Sequence, residues 1–198
     1  MNPYQSVKDF ENTIAEYAGA KYGVAVESCT AALFLSLKYI ELCGEITIPK
    51  RTYPGVACSI INAGGKVKFK DLDWTDKGYY FLEPTNIVDS AIHFKRGMYQ
   101  KGSLWCLSFV HSKHIPIGRG GMILTDDEEA VKWLKKARFD GRNEVDLHED
   151  YIDMIGWNMY LTPEQASRGL VLFNDIKDKD LPNCGHDYID LSKFPIYE

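Results

Sequence analysis

The feature that most constrains the fold is an alternation of short apolar runs with helix-like segments. Tyr22–Glu27 alternates in polarity and reads as a strand. Ser28-Cys29-Thr30 then opens an apolar helix, Ala31 to Leu42, stopped by Gly44. Glu45–Pro49 reads as a short strand, Tyr53–Ala63 as a helix ending at Gly64-Gly65, and Lys66–Leu72 as the next strand. Asn86–Ala91, Leu104–Phe109 and Met122–Thr125 are further runs of strand length. Such alternation implies an α/β chain with a largely parallel sheet, covered by helices on both faces. In sheets of that kind, ligands sit outside the carboxyl ends of the strands.

The remaining segments fit around this frame. Residues 2–18 read as a helix, with Phe10, Ile14 and Tyr17 at helical spacing, Asn2 or Ser6 as the cap and Gly19 as the stop. Asp73–Pro84 reads as an aromatic, polar loop. Asp126 is the expected cap of a helix through Ala137, whose first turn is acidic as the helix dipole favours. Arg138–Tyr151 is charged and irregular. Thr162-Pro163-Glu164 starts a last helix, with proline at the first helical position. The tail after Asp178 is rich in Asp, Pro and Asn and reads as extended.

Composition excludes some roles. The net charge of −5 argues against a nucleic-acid partner, which needs a basic patch. No apolar run approaches bilayer-spanning length, so no membrane partner is expected. The first residues lack the charged and apolar blocks of a signal peptide. The five cysteines form no CxxC pair, and four of them lie in apolar or helical stretches as expected buried thiols. No metal site is expected, and the compartment that fits is the reducing cytoplasm.

Polar residues fall at the expected strand ends: Ser28 to Thr30, Thr52-Tyr53, Asp89, and Ser108 with Lys113. Lys113 follows a buried strand and precedes Gly118, Gly120 and Gly121. A partly desolvated lysine there is an amine nucleophile able to form a Schiff base, and the alternative is a solvated turn lysine. Ser28-Cys29-Thr30 offers helix N-terminal N–H groups to an anion, or is an ordinary cap. Tyr53 stacks on a flat ring, or is a core or rim tyrosine. Asp89, inside an apolar strand, needs a cationic partner or a proton; a protonated ring nitrogen or an arginine would serve. A lysine amine with an acid facing a pyridinium nitrogen is the protein's part in pyridoxal phosphate chemistry.

At these residues a family resemblance enters. FENTIAEYAGAKYGVAV, SCTAAL, IPKRTYPG, GGKVKFKDLD, IVDSA, SFVHSK with GRGGM, KKARFDGR and GWNMYLTPEQA occur in the order found in the DegT/StrS sugar aminotransferases. From about Phe10 to Phe173 the sequence resembles these fold-type I, pyridoxal-phosphate-dependent enzymes. The resemblance implies their large domain over residues 1–178, with a seven-stranded, mostly parallel sheet and an extended tail over 179–198. It implies that most of the small C-terminal domain of full-length members is absent. It gives Lys113 the covalent link to pyridoxal 5'-phosphate and the proton shuttle, and Asp89 the ring nitrogen. Tyr53 takes the ring face, and Cys29, Thr30 and Ser108 take the phosphate. Asn158 would reach the phosphate of a neighbouring subunit, which implies a homodimer with shared sites. The implied reaction moves an amino group, with glutamate as donor, onto a keto sugar linked to a nucleotide, as in polysaccharide biosynthesis. Two other readings are a cofactor-binding or regulatory protein of reduced activity and a sugar dehydratase on the same cofactor. Lys113 at the family spacing favours transamination. The sequence departs from the family pattern at Cys29 (glycine), Ile92 (Gln or His), Arg119 (glutamate) and Tyr160 (arginine).

Overall fold

A computed structural model describes residues 4–185 and 187–197. The first helix, α1 (Gln5–Ala18), turns Val7, Phe10, Ile14, Ala15 and Ala18 to the core and ends at Gly19, at φ 82°. Asn2, one expected cap, lies outside the described residues. Ser6 does not cap; it lies within α1, and its hydroxyl donates to the Pro163 carbonyl (3.0 Å), which ties the helix to the last one. Then follow β1 (Tyr22–Val26), α2 (Cys29–Tyr39), β2 (Glu45–Pro49), α3 (Pro54–Asn62) and β3 (Lys66–Lys70). The second half comprises β4 (Tyr80–Phe81), β5 (Ile87–Asp89), β6 (Leu104–Ser108), β7 (Gly121–Thr125), α4 (Glu128–Ala137) and α5 (Pro163–Ile176).

The α/β architecture is as the alternation implies, but the sheet is not largely parallel. β1, β7, β6, β5 and β4 form one sheet in that order, and β2 and β3 form a second. Among the described strand pairs only β5–β6 and β2–β3 run parallel. The other three pairs are antiparallel. A parallel neighbour needs a long, usually helical crossover. The link from β4 to β5 is too short for a crossover, so those strands pair antiparallel, whereas the longer link from β5 to β6 crosses over to a parallel neighbour although it holds no helix. The segment read as a loop before Pro84 thus contributes a strand, β4. Thr47 of β2 and Glu83, just after β4, exchange backbone hydrogen bonds of 2.8 and 3.1 Å across the seam between the sheets.

Strand alternation feeds two cores. Val24, Val26, Leu104, Cys106 and Ile123 pack under α2, α3 and α4. Ala25, Trp105, Leu107, Met122 and Leu124 pack under α1 and α5. The cap of α4 is Asp127 rather than Asp126: Asp127 accepts from the N–H groups of Glu129 and Ala130, while Asp126 accepts from the Tyr99 hydroxyl (2.7 Å). The capping box at Thr162 and Gln165 starts α5 as its sequence suggests. Of the cysteines only Cys106 is buried; Cys43, between α2 and β2, and Cys58, within α3, are exposed. All five are free thiols.

The segment beyond residue 178 docks on the domain through Leu191, 1% exposed, and ends in two 3-10 turns. The Cys184 N–H donates to the Ile92 carbonyl (2.9 Å), and the Leu191 N–H to the Lys50 carbonyl (2.8 Å). Tyr188 stacks on Trp74 with ring centres 5.6 Å apart.

A buried ion cluster joins α1, β1 and α4. The buried Arg138 guanidinium donates to Glu11, to the Ala25 carbonyl and to Glu144. Lys135 approaches the other Glu11 oxygen at 3.3 Å. Removing the Arg138 side leaves the buried Glu11 carboxylate with only the partly exposed Lys135 beside it. Arg138→Ala is therefore expected to cost about 3–5 kcal/mol of stability, read from urea midpoints; a loss within the scatter of a surface substitution contradicts this role for the cluster.

Candidate functional site

Sheet register gathers the site. Asp89 ends β5, Ser108 ends β6, and Gly121, opposite Ser108 and Val26, begins β7. The carboxyl ends of β1, β5 and β6 thus share one edge. Helix α2 starts immediately above it, with Ser28 as N-cap accepting from the Ala31 N–H (3.0 Å). The Cys29 and Thr30 N–H groups lie in the first turn, where helix geometry supplies no intrahelical acceptor. Gly121 makes this approach possible: a Cβ there would fall 2.4 Å from the Ser28 carbonyl carbon.

A cavity of about 380 Å³ opens at this edge. Cys29, Thr30, Tyr53, Asp89, Ser108 and Lys113 all line it, six residues from five separate segments. Asn158 does not. It is exposed, its backbone bridges Phe139, and its side-chain amide donates to Asp140 (2.9 Å).

Asp89 forms the cavity floor. It is 3% exposed. One carboxylate oxygen accepts from the Tyr80 hydroxyl (2.8 Å), and the other from the Ala91 N–H (3.0 Å). Tyr80 in turn shares a 2.6 Å hydrogen bond with the Thr52 hydroxyl. Burial pushes the Asp89 carboxyl above its ordinary value, against the pull of Tyr80, Ala91 and the Lys113 charge.

Lys113 sits in a self-closed loop. The Phe109 N–H donates to the Gly120 carbonyl (2.9 Å), the Ile117 N–H to the Phe109 carbonyl (3.1 Å), and the Lys113 N–H to the Val110 carbonyl (2.9 Å). Buried Phe109, Ile115 and Ile117 anchor this loop. Lys113 is half-buried, and desolvation lowers its pKa while the neighbouring acidic groups Cys184, Asp89 and Cys29 oppose the shift. Burial pushes the Cys29 thiol well up, so it stays protonated. Together these groups offer an amine eased toward its neutral form, a buried acid and the N-terminus of a helix.

Several residues at the site had no assigned role from sequence. Tyr80 and Thr52 lie behind Asp89. The run Tyr79-Tyr80-Phe81-Leu82 carries the aromatic signal of a strand, and reading it so would have drawn attention to Tyr80. Tyr188 lines the cavity from the docked final segment, where no local pattern marks it. Arg119 also lines the cavity and pairs with Glu27 (2.7 Å). Ile92 is 2% exposed and packs in the core, while the following His93 bonds Asn183 (2.8 Å). Among the described residues no group of three or more His, Cys, Asp or Glu is arranged to hold a metal ion, and no helix is long and apolar enough to cross a membrane.

The raised Asp89 carboxyl has a consequence for stability. Its folded pKa exceeds the unfolded one, so its contribution is full below the unfolded value and is lost as pH rises through the folded value. Asp89→Asn, which keeps an oxygen for Tyr80, is expected to be more stable than the native protein at pH 7, with the advantage shrinking as pH falls. Urea midpoints across that range check the sign; a native protein more stable at pH 7 reverses it.

The family model of the DegT/DnrJ/EryC1/StrS aminotransferases matches residues 1–95 and 95–179. The spore coat polysaccharide biosynthesis protein SpsC of Bacillus subtilis is 26% identical over 196 residues, covering 78% of this chain and 48% of that protein. The UDP-4-amino-4,6-dideoxy-N-acetyl-beta-L-altrosamine transaminase of Campylobacter jejuni is 23% identical over 219 residues, covering 89% of this chain and 57% of that one. The chain thus spans about half the length of these curated relatives. Among solved structures, NtdA of Bacillus subtilis with bound cofactor PMP superposes with a TM-score of 0.72 at 18% identity, over 87% of this chain and 48% of its own. That likeness establishes the fold, and the match across nearly all of the sequence establishes the kinship: the chain belongs to the DegT/DnrJ/EryC1/StrS aminotransferase family.

Proposed function

We propose that the chain binds pyridoxal 5'-phosphate and acts as an aminotransferase on a nucleotide-linked keto sugar, with glutamate as amino donor. The observation that carries this reading is the placement of Lys113 and Asp89 on one cavity, close enough for each charge to shift the other's titration. The residues fit the cofactor: a buried carboxylate suits a cationic ring nitrogen, and a helix start suits a phosphate. When bound, the cofactor supplies an aldehyde for amines and a ring that withdraws electrons.

Each side chain then has a task. Asp89 accepts the ring-nitrogen proton in a charged hydrogen bond. The Lys113 amine holds the cofactor and carries protons to and from the reacting carbon. The Cys29 and Thr30 N–H groups, with the Thr30 and Ser108 hydroxyls, hold the phosphate. Tyr53, 58% exposed, covers the ring's open face. Residues 1–178 make up the cofactor-binding domain, and the final segment closes one wall of its cavity. Asn158, exposed and outside the cavity of its own chain, serves the phosphate of a second copy, so the working unit is a homodimer in the cytoplasm. The names of the relatives, a sugar transaminase and a polysaccharide biosynthesis protein, support the substrate class.

Ile92, buried at the position where the family pattern has Gln or His, favours a second reading: a cofactor-binding protein of reduced turnover. Absorption spectroscopy separates the two. Native protein with pyridoxal 5'-phosphate is expected to gain the visible band of a lysine-linked cofactor, and Lys113→Ala to lose it. An unchanged band in that variant removes Lys113 from the role. Added glutamate is expected to convert the bound cofactor to its amine form; a band that persists favours the second reading.

A further inference from the structure

Asp89 is deeply buried and ends an interior strand of the sheet, a costly place for a carboxylate. The groups that face it come from every surrounding element. Lys113 approaches from the loop, Cys29 from α2, Cys106 from β6, Tyr80 from β4 and Tyr188 from the docked final segment. Of these only Lys113 carries positive charge. Cys29, Cys106, Tyr80 and Tyr188 are all held neutral by burial, so none opposes a charge on Asp89 at neutral pH.

The second carboxylate oxygen has a longer connection. Tyr80 directs its only hydroxyl proton at Asp89 (2.8 Å). Its oxygen must then accept from Thr52, whose hydroxyl lies 2.6 Å away. Tyr80 is 4% exposed and Thr52 1% exposed, so water does not compete with either bond. A hydroxyl that accepts one hydrogen bond donates another more strongly. Tyr80 is further fixed by its ring contact with Trp74, at 4.8 Å between centres.

We propose that Thr52 and Tyr80 form a one-way hydrogen-bond relay that keeps Asp89 ionised and aimed into the cavity, so that a cationic heterocyclic nitrogen meets a charged acceptor rather than a neutral acid. Both are positioning residues that act through Asp89. The identity of that heterocycle rests on the cofactor reading above; the relay itself belongs to the protein alone.

The test uses the cofactor-free full chain, with Asp89 followed by carboxyl-carbon NMR across pH. Tyr80→Phe removes the donor without changing the ring, and the Asp89 titration is expected to move to higher pH. Thr52→Val is expected to move it in the same direction by less, and Thr52→Ser, which keeps the hydroxyl, to restore the native curve. Pyridoxal 5'-phosphate is then titrated into each variant, and Tyr80→Phe is expected to weaken binding about tenfold, the usual worth of one hydrogen bond to a charged group. An Asp89 titration that stays in place or moves down in Tyr80→Phe overturns the relay. If that variant does not fold, the Thr52→Val and Thr52→Ser pair decides the matter by the same curve. If native protein takes up no pyridoxal 5'-phosphate, the cofactor reading fails, while the Asp89 titration still decides the relay.

Discussion

The layout of the cavity follows from the difficulty of burying one carboxylate. Asp89 ends a strand flanked on both sides by other strands, and it is shut away from water. Such a group persists only if its oxygens find donors. Here each oxygen has one, from Tyr80 and from the Ala91 N–H. The Ala91 donor comes free with the turn after β5. The Tyr80 donor requires that the chain first run back antiparallel as β4, so the short hairpin before Asp89 is part of the site's construction.

The lysine side of the cavity is built on a different principle. Its loop returns between two antiparallel strands, and is held by its own backbone and by three buried apolar side chains. That leaves the amine on a rigid support at the strand ends, where burial eases it toward neutrality. The glycine at the start of β7 lets the sheet edge press against the first turn of α2, bringing its backbone N–H groups to the same opening.

The sequence carried the chemistry more clearly than the topology. Lys113, Asp89, Ser108 and the helix start at Ser28 sit where apolar runs stop, and polarity changes of that kind are local and easy to read. Strand direction is not local: it depends on the path each connection takes, as the helix-free crossover from β5 to β6 shows, and the aromatic run around Tyr80 hid one strand inside an apparent loop. The placement of Tyr188 depends on how the final segment packs against Trp74, which no spacing rule encodes. Asn158 shows the opposite limit: its motif is plain in the sequence, yet its side chain turns to Asp140 on the outside of the chain.

The seam between the two sheets has a mechanical meaning. Thr52 follows β2 of the smaller sheet, whereas Tyr80 and Asp89 belong to the larger one, and the Thr47–Glu83 bridge crosses the same boundary a few residues away. The hydroxyl contact is therefore a stitch across a fault line. Any slip of one slab against the other would pull on that stitch and reach the buried acid before it disturbed either hydrophobic layer, making the acid a strain gauge for the alignment of the two halves.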